Sequence, residues 1–262
     1  MRVVVKIGGA ALDNKELVHN CARAIVDLTD GNRHQVAVVH GGGVELTRTL
    51  HQLGKESNFV DGLRVTDSET RDVALMVLAG KVNKALVAAV AALGKPAIGI
   101  CGADGLTFRA RKKKTNGCDL GFVGEICSVD TRWIDAIWNA GGIPVISSVA
   151  LGTDGQYYNV NADQTASACA AACKAHALIF LTDVAGVKDA DGSVIRWLHN
   201  NQIDDLVKNA VVRGGMLPKL EACREALRRG VGRVRILPAS EVNVLPDFYT
   251  CKIECGTEVM AA

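Results

Sequence analysis

Aromatic residues are scarce in this chain and make up 4% of its 262 residues. Its core must therefore be built from Val, Ala, Leu and Ile, which dominate a hydrophobic fraction of 48%. Net charge is also low, at +2, and no long basic stripe extends beyond the run from Arg109 to Lys114. Nucleic-acid binding is therefore not expected, although a local site for an anion remains open.

Three glycine-containing signatures of common enzyme classes are missing too. No G-x-x-x-x-G-K-[ST] sequence occurs, so the chain is not a P-loop enzyme by motif. No G-x-G-x-x-G follows a strand, so a dinucleotide-binding fold is not supported. The absence of G-x-S-x-G argues equally against a serine hydrolase.

Membrane and secretion signals are absent as well. The longest apolar run, Ala85 to Leu93, is too short to cross a bilayer, and the chain begins directly with a strand, so no signal peptide is expected. Nine cysteines occur without any Cys-x-x-Cys, and scattered free thiols are typical of a reducing cytoplasm. No metal site is predicted, because the spacing disfavours the one alternative, a zinc site of Cys169, Cys173, Cys251 and Cys255.

Glycine, by contrast, is plentiful at 27 residues, and it follows the first two predicted strands. Arg2 to Ile7 contains Lys6 and leads into Gly8-Gly9, and Gln35 to Val39 leads into His40-Gly41-Gly42-Gly43; a helix follows each. Two such units predict parallel strands with crossover helices. Glycine N–H groups, helix starts and Lys6 together suit an anionic ligand, although a tight turn with an edge lysine is the alternative. His40 is either a catalytic base or a partner of the loop.

The rest of the chain continues the alternation of strands and helices. A capping box at Thr66 and Glu69 predicts a long helical region up to Leu93. Leu106 to Val129 predicts a β-hairpin, with Asn116-Gly117 as its turn signal and the basic run near its tip. Further strands are expected at 97–101, 143–147, 177–181 and 233–237, and 252–259 is a candidate edge strand.

Eight short motifs follow one another over nearly the whole chain: Lys6-Ile7-Gly8-Gly9, His40-Gly41-Gly42-Gly43, Gly62-Leu63-Arg64-Val65-Thr66, Asp119-Leu120-Gly121-Phe122-Val123-Gly124, Asn159-Val160-Asn161-Ala162-Asp163, Thr182-Asp183-Val184-Ala185-Gly186-Val187, Gly214-Gly215-Met216-Leu217-Pro218-Lys219 and Gly256-Thr257-Glu258. In identity and order they resemble the amino-acid kinase family. The third motif points to the acetylglutamate kinases within it, whereas the first and fifth alone indicate only the superfamily.

This resemblance implies an α/β fold, a three-layer sandwich with an open, mainly parallel central sheet between helices and a β-hairpin excursion. Residues 1–175 would form an acyl-amino-acid lobe and residues 176–262 a nucleotide-binding lobe. The implied reaction is ATP-dependent phosphorylation of the side-chain carboxylate of N-acetyl-L-glutamate, a step of arginine biosynthesis, with Mg²⁺ accompanying the nucleotide. A cytoplasmic homodimer is expected; the absence of an extra N-terminal helix implies that it lacks inhibition by arginine.

Phosphoryl transfer between two anions gathers negative charge that the protein must neutralise. By resemblance, Lys6 contacts the transferred group from the acceptor side and Lys219 from the nucleotide side, while Asp163 holds both ammonium groups. The N–H groups of Gly9 and Gly42 would face the phosphoryl oxygens. The alternative for Asp163 is an N-cap of the Ala-rich helix that follows.

The resemblance also assigns substrate contacts. Gly42 and Gly43 would pass close to the substrate, and Arg64 and Asn159 would bind its α-carboxylate, a group that arginine can hold through two parallel bonds. The alternative for Arg64 is a surface ion pair. The nucleotide pocket would be lined by Thr182, Asp183, Val184, Ala185, Gly186, Val187, Val211, Val212 and Arg213.

Two other functions compete with this interpretation. A kinase for aminoadipate or glutamate linked to an acidic carrier protein could use Arg109 to Lys114 as its dock, but Val65-Thr66 differs from that branch. A non-catalytic nucleotide-binding regulator on the same fold would not need Lys6, Asp163 and Lys219 together.

Overall fold

The structure, a computed structural model, describes residues 1–29, 34–115, 117–247 and 255–261. Within these ranges the chain forms fourteen strands. They are β1 (Arg2–Ile7), β2 (Gln35–His40), β3 (Phe59–Val60), β4 (Leu63–Arg64), β5 (Ala97–Ile100), β6 (Phe108–Lys112), β7 (Val123–Val129), β8 (Ile143–Ser147), β9 (Val149–Gly152), β10 (Tyr157–Val160), β11 (Ala177–Thr182), β12 (Trp197–His199), β13 (Arg233–Pro238) and β14 (Thr257–Met260).

The same ranges contain nine α-helices, one π-helical segment and three short 3₁₀ segments. The α-helices are α1 (Gly9–Leu12), α2 (Lys15–Thr29), α3 (Gly43–Gln52), α4 (Ser68–Ala74), α5 (Asn83–Ala91), α6 (Arg132–Asn139), α7 (Ala162–Ala172), α8 (Ile203–Lys208) and α9 (Met216–Arg228). The π-helical segment is Leu75–Val82, and the 3₁₀ segments are Asp104–Leu106, Asn200–Gln202 and Ala239–Asp247.

An eight-stranded sheet in the order β12-β14-β13-β11-β1-β2-β8-β5 forms the middle layer. Six of its strands are parallel, and β14 with β12 runs in the opposite direction. Alternate side chains of β1 enter different layers, because successive residues of a strand face opposite sides. Val4 packs with α6, α7 and α9, whereas Val3 and Val5 pack with α2 and α5. The predicted mainly parallel sheet between helices is therefore confirmed.

The centre of this sheet places the glycine loops side by side. β1 pairs in parallel with β2 and with β11, so that Lys6 lies opposite Val39 on one side and Phe180 on the other. Because parallel strands end at one edge of a sheet, the loops after β1, β2 and β11 emerge together. Ligands of open α/β sheets bind at this edge, and both glycine motifs lie there.

The predicted hairpin is present as the antiparallel pair β6–β7, but it belongs to a larger unit. These strands close with β9 and β10 into a four-stranded barrel that the sequence patterns did not predict. The strands β9 and β10 are only four residues long, too short for a clear alternating pattern. The turn signal at Asn116 lies outside the described residues, as do residues 252–254 of the candidate edge strand, which is observed as β14.

The longest helical stretch, Ser68–Ala91, joins α4, the π-helical segment and α5. Its mean hydropathy of 1.8 and its length would suffice to cross a membrane, and 44% of its most apolar window is buried inside the fold. Its N-cap is Asp67, whose carboxylate accepts the Thr70 N–H at 2.8 Å, rather than the predicted Thr66. The apolar residues of this helical stretch therefore contribute to the core, where Val77 and Leu78 pack against Leu46 of α3.

Candidate active site

Three charged side chains from distant parts of the chain meet behind the glycine loops. Lys6 Nζ lies 2.7 Å from Asp163 Oδ1, and Lys219 Nζ lies 3.1 and 3.0 Å from the two Asp163 oxygens. Each side chain is only 8% exposed. We call these residues the lysine–aspartate triad; they are the three residues that the resemblance singled out.

The position of Asp163 follows from the start of α7. Asn161 is the N-cap, and its side chain accepts the N–H groups of Asp163 and Gln164 at 2.9 and 3.2 Å. The alternative that Asp163 is itself the N-cap is therefore wrong. Since Asn161 satisfies the backbone, the Asp163 carboxylate is free to turn toward the lysines, and it also lies at the positive end of the helix dipole.

Burial and charge act in opposite directions on this triad. Burial alone would raise the pKa of Asp163, but the ammonium groups of Lys6 and Lys219 outweigh it, so the pKa lies below its usual range. Burial lowers the pKa of Lys6, with Asp163 opposing the shift. Two ammonium groups facing one carboxylate leave an excess of buried positive charge. An anion placed beside them would relieve this imbalance.

Lys219 enters the site from the first turns of α9. The preceding Gly214 has φ = 58°, a left-handed conformation that favours glycine. Lys219 Nζ also lies 5.2 Å from the ring centroid of Phe180, within the range of a cation–π contact. Leu220 and Cys223 of the same helix pack in the core, so that the helix is held against the sheet from which Lys6 projects.

The two glycine loops are tightly packed, Gly9 against the second loop and Gly42 against the π-helical segment. A Cβ at Gly9 would lie 3.3 Å from Gly43 N, and one at Gly42, where φ is +147°, would lie 2.8 Å from Leu78 Cδ2. Among the described residues, the N–H of Gly42 meets no hydrogen-bond acceptor. Backbone donors at the starts of α1 and α3 therefore remain available to an anion.

His40 is placed as a partner of the loop. It is fully buried, with Nδ1 2.8 Å from Gly41 O and Nε2 3.0 Å from Asn83 Nδ2. Burial is the main cause of a His40 pKa lowered to about 4; the bond to Gly41 opposes it, and Lys6 and Lys84 add to it. Both ring nitrogens are occupied, so a role as catalytic base does not fit.

A second buried cation, Arg64, lies at the end of β4. Its guanidinium donates to Ser57 Oγ, to Gly43 O at 3.1 Å and to Thr47 Oγ1 at 2.7 Å. We call this group the arginine pocket. No carboxylate in the described part of the chain pairs with Arg64, which is 7% exposed, and burial lowers its pKa. The alternative of a surface ion pair is therefore wrong.

The arginine pocket is connected to Asn159, the other predicted carboxylate ligand. Asn159 Nδ2 donates to Thr66 Oγ1 at 3.2 Å, and that hydroxyl donates to Arg64 O at 2.8 Å. The Phe59 ring covers the guanidinium at 4.6 Å from Arg64 Cζ to the ring centroid. Arg64 is thus held by neutral groups on several sides.

The predicted nucleotide-binding residues fall into exposed and buried groups. Asp183, Val184 and Ala185 are exposed just after β11, whose last residue, Thr182, donates to Asp183 Oδ1 at 3.1 Å. Gly186 and Val187 turn inward, and the Val187 N–H is held by Thr257 Oγ1 at 2.9 Å. In the second segment Val211 is half-buried, Val212 is buried in the core and Arg213 is exposed.

No group of three or more His, Cys, Asp or Glu side chains in the described ranges is arranged to hold a metal ion. Cys169 on α7 and Cys173 at its C-cap are buried, and Cys251 of the alternative zinc site lies outside the described residues.

Several residues of the site were not predicted. Thr47, Ser57 and Phe59 surround Arg64, and Asn83 holds His40. Asn83 could have been noticed as an amide in a mainly apolar helical stretch whose other polar residues nearby are the lysines at 81 and 84. The other three carry no local signal, because they meet Arg64 only through the folding of separate segments.

Comparisons with known proteins identify the family of this chain. Residues 1–238 match the profile of the amino acid kinase family. The acetylglutamate kinase of Acidobacterium capsulatum is 64% identical over the full length of both chains, and that of Koribacter versatilis is 55% identical over 100% of this chain and 99% of its own. The chain therefore belongs to the amino-acid kinase family, in the branch of the acetylglutamate kinases.

Solved structures show the same fold at lower identity. The N-acetylglutamate synthase of Neisseria gonorrhoeae, complexed with coenzyme A and N-acetyl-glutamate, superposes with a TM-score of 0.85 at 24% identity, over 98% of this chain and 59% of that one. Carbamate kinase of Giardia lamblia bound to AMP-PNP has a TM-score of 0.70 at 14% identity, over 100% and 98% of the two chains.

Proposed function

We propose that this protein phosphorylates the side-chain carboxylate of N-acetyl-L-glutamate with ATP and produces N-acetyl-L-glutamyl 5-phosphate and ADP, a step of arginine biosynthesis. The observation that carries the proposal is the pairing of two buried cationic sites. The lysine–aspartate triad has excess positive charge for a phosphoryl group, and the arginine pocket has a cation without a carboxylate partner among the described residues. The 64% identical relative bears the name of this activity.

The reaction requires no base from the protein. An oxygen of the side-chain carboxylate, already an anion, forms the new bond to the γ-phosphorus, and the bond to the bridging oxygen of ADP breaks. Catalysis then consists of positioning and charge stabilisation. Lys6 contacts the phosphoryl group from the acceptor side and Lys219 contacts it from the nucleotide side. Asp163 holds both ammonium groups in place through its carboxylate.

Backbone donors complete the phosphoryl site. The N–H groups of Gly9 and Gly42 point to the equatorial oxygens, where charge is spread during transfer. Removing one such donor in other enzymes costs about 10²–10³ in turnover. Support comes from the absence of side chains at both positions and from the unused Gly42 donor.

The substrate's α-carboxylate binds Arg64 and Asn159, with Gly42 and Gly43 passing close to the rest of the molecule. Arg64 supports this assignment because its neutral partners hold the guanidinium without cancelling its charge. A carboxylate ligand would supply the missing counter-ion and make charge-assisted hydrogen bonds.

ATP binds along the carboxyl edge of β11, against Thr182, Asp183, Val184, Ala185, Gly186, Val187, Val211, Val212 and Arg213. Mg²⁺ would accompany the nucleotide with few ligands from the protein and would neutralise part of the phosphate charge. Residues 176–262 would then act as the nucleotide lobe and 1–175 as the acyl-amino-acid lobe. Both share the central sheet through the pairing of β1 with β11.

The protein acts as a cytoplasmic homodimer in this proposal. Ile98 on the edge strand β5 and Met76 on the π-helical segment are 48% and 61% exposed, which suits a contact with a second copy. The eight described cysteines are free thiols, as expected in a reducing compartment. The carrier-linked alternative is weakened because Glu125 and Asp119 already pair with Arg111 and Lys112 of the proposed dock.

The test is ADP release with N-acetyl-L-glutamate, L-glutamate and L-aspartate at matched concentrations. We expect turnover with the acetylated substrate and little with the other two. Lys219→Met serves as the control for contaminating kinases, because it removes one ammonium of the triad. Equal turnover of free glutamate, or turnover unchanged in the control variant, contradicts the proposal.

A further inference from the structure

The buried side chains of His40 and Asn83 form a pair that the reaction, as described above, does not use. Both residues are 0% exposed, and they lie on separate elements, His40 at the end of β2 and Asn83 at the start of α5. Their contact, 3.0 Å between Nε2 and Nδ2, lies directly behind the loop that carries Gly42.

The contacts of this pair determine where the imidazole proton resides. Gly41 O can only accept, so His40 Nδ1 carries the hydrogen. Asn83 Nδ2 can only donate; one of its hydrogens goes to His40 Nε2 and the other to Val145 O at 2.9 Å. Asn83 Oδ1 accepts from Lys84 Nζ at 3.2 Å. The ring is therefore neutral, with the proton on Nδ1, and Asn83 selects that tautomer.

The hydrogen bond to Gly41 O has a consequence on the other side of the same peptide group. In a planar trans peptide, the carbonyl of one residue and the N–H of the next point in opposite directions. Fixing the Gly41 carbonyl toward His40 therefore turns the Gly42 N–H away from the core. That N–H has no acceptor among the described residues and lies beside the Gly9 loop.

Two further features of the chain accommodate the contact between His40 and Asn83. A Cβ at Gly99 of β5 would lie 1.8 Å from Asn83 Oδ1, so the amide occupies the volume of a side chain. The π-helical segment ends at Val82, next to Asn83, and a Cβ at Gly42 would lie 3.1 Å from Val82 Cγ2. π-Helical turns shift the direction of the residues after them and are frequent at functional sites.

We propose that His40 and Asn83 are positioning residues for phosphoryl transfer: Asn83 holds His40 in the Nδ1–H tautomer, and this tautomer aims the Gly42 N–H at the phosphoryl oxygens. The inference rests on the proposed function, in which Gly42 is an oxyanion donor. Neither side chain touches the substrate. Their loss misdirects a donor that acts on developing charge, which lowers kcat and leaves substrate binding nearly unchanged.

The first measurement is independent of any substrate. Long-range ¹H–¹⁵N NMR of the imidazoles should show His40 neutral, with Nδ1 protonated and Nε2 not. In Asn83→Leu, which removes both donors at similar size, only Gly41 O still favours the Nδ1–H tautomer, so the share of the Nε2–H tautomer should rise measurably. An unchanged tautomer in this variant contradicts the role of Asn83. Finding the wild-type proton on Nε2 overturns the inference even if the enzyme is fully active.

The second measurement is steady-state kinetics. Asn83→Leu should lose about tenfold to a hundredfold in kcat, part of the loss expected for one oxyanion donor, while KM for each substrate changes less than about threefold. Lys84→Met is the matched control: it removes a contact to the same amide but keeps both Asn83 donors, so kcat stays within about threefold and the tautomer is retained. A folded Asn83→Leu with shifted tautomer and wild-type kcat contradicts the proposal.

Asn83→Asp tests the pair if the leucine variant does not fold. In this variant the carboxylate at position 83 accepts a hydrogen bond from Nε2–H and stabilises the imidazolium form of His40, while the positive charges of Lys6 and Lys84 oppose that form. The imidazolium still donates its Nδ1–H to Gly41 O. Loss of the Nδ1 proton should then lower kcat as pH rises through the new His40 pKa. Wild-type kcat lacks this step, because its His40 is neutral throughout the neutral range. A pH profile identical to wild type contradicts the proposal, whereas an inactive wild type would refute the proposed function instead.

Discussion

The lysine–aspartate triad and the arginine pocket are both buried and cationic, but they are neutralised differently. Lys6 and Lys219 share a carboxylate of the protein, at 2.7 to 3.1 Å. Arg64 has hydroxyl and carbonyl partners and, among the described residues, no carboxylate. One site is thus held in place by its own counter-charge, and the other has only neutral partners in the described part of the chain.

This difference suits the two tasks that we propose for these sites, phosphoryl transfer at the triad and substrate recognition at the arginine pocket. A group that acts on developing charge must be in position before the reaction, and an internal carboxylate achieves this for the triad. A group that recognises a substrate gains most when the substrate completes it, since an unpaired buried cation makes binding of the wrong molecule unfavourable.

The two sites also differ in their scaffolds. The triad is carried by a central strand and by the first turns of α7 and α9. Arg64 is carried by β3–β4, a sheet of two strands with two residues each. Such a hairpin is marginally stable by itself, so the arginine pocket is expected to open more readily than the triad.

The sharpest test of the first site is Asp163→Asn. It leaves two buried ammonium groups without their carboxylate, and breaking a buried pair costs about 3–5 kcal/mol of unfolding free energy. The exposed Asp119→Asn, which breaks the ion pair with Lys112, is the matched control and should change stability little. Urea unfolding at neutral pH measures both, and equal stability of wild type and Asp163→Asn refutes the argument.

The effect of Asp163 should depend on pH with a defined sign. Its folded-state pKa is lowered from 3.8, so the stabilisation is complete above about that pH and is lost as pH falls through the folded value. The stability gap between wild type and Asp163→Asn should therefore narrow in acid. If the stability difference stays constant through that pH range, the negative charge of Asp163 is not what stabilises the folded protein.

Removing either lysine should affect turnover next most strongly. Lys6→Ala and Lys219→Ala should each lower kcat about a hundredfold or more, or about 2.7 kcal/mol of transition-state stabilisation. The exposed Lys112→Ala is the control and should retain normal kcat. Near-normal turnover in a folded Lys6→Ala or Lys219→Ala variant removes that residue from the mechanism.

In the arginine pocket the expected effect is on binding. Arg64→Lys keeps the charge but loses the planar fork, so KM for N-acetyl-L-glutamate should rise about tenfold or more, with little change in KM for ATP. Arg132→Lys, at an exposed ion pair with Asp130, is the control. A rise confined to the KM for ATP places Arg64 on the nucleotide side.

The smallest predicted effect concerns Phe59, which covers the Arg64 guanidinium. A cation–π contact contributes about 0.5–1 kcal/mol at an exposed site, so Phe59→Leu should raise KM for N-acetyl-L-glutamate about twofold to fivefold. Phe59→Tyr keeps the ring and should restore the wild-type value. If leucine and tyrosine variants behave alike, the ring does not position Arg64.

The order of strands and helices was predictable from the sequence because it depends on local patterns. The valine-rich run up to Ile7 and the glycines after it predicted a strand and an anion-binding turn, and both lie at the centre of the sheet. The small barrel was not predicted, because β9 and β10, besides pairing with each other, close it by pairing with β6 and β7 from much earlier in the chain. The N-cap of α7 was assigned to Asp163 as an alternative, two residues after the true cap, because both residue types cap helices.

Residue types and their spacing thus determined the fold class, the family resemblance and the candidate side chains for the chemistry of this protein. Tertiary structure alone decided which charges are paired. Asp163 and Lys219 are 56 positions apart in the chain, yet they share a buried ion pair, and Arg64 is buried without a carboxylate partner in the part of the chain that the structure describes. Burial and counter-charge depend on what packs around a side chain, and packing is a property of the folded chain that no local pattern encodes.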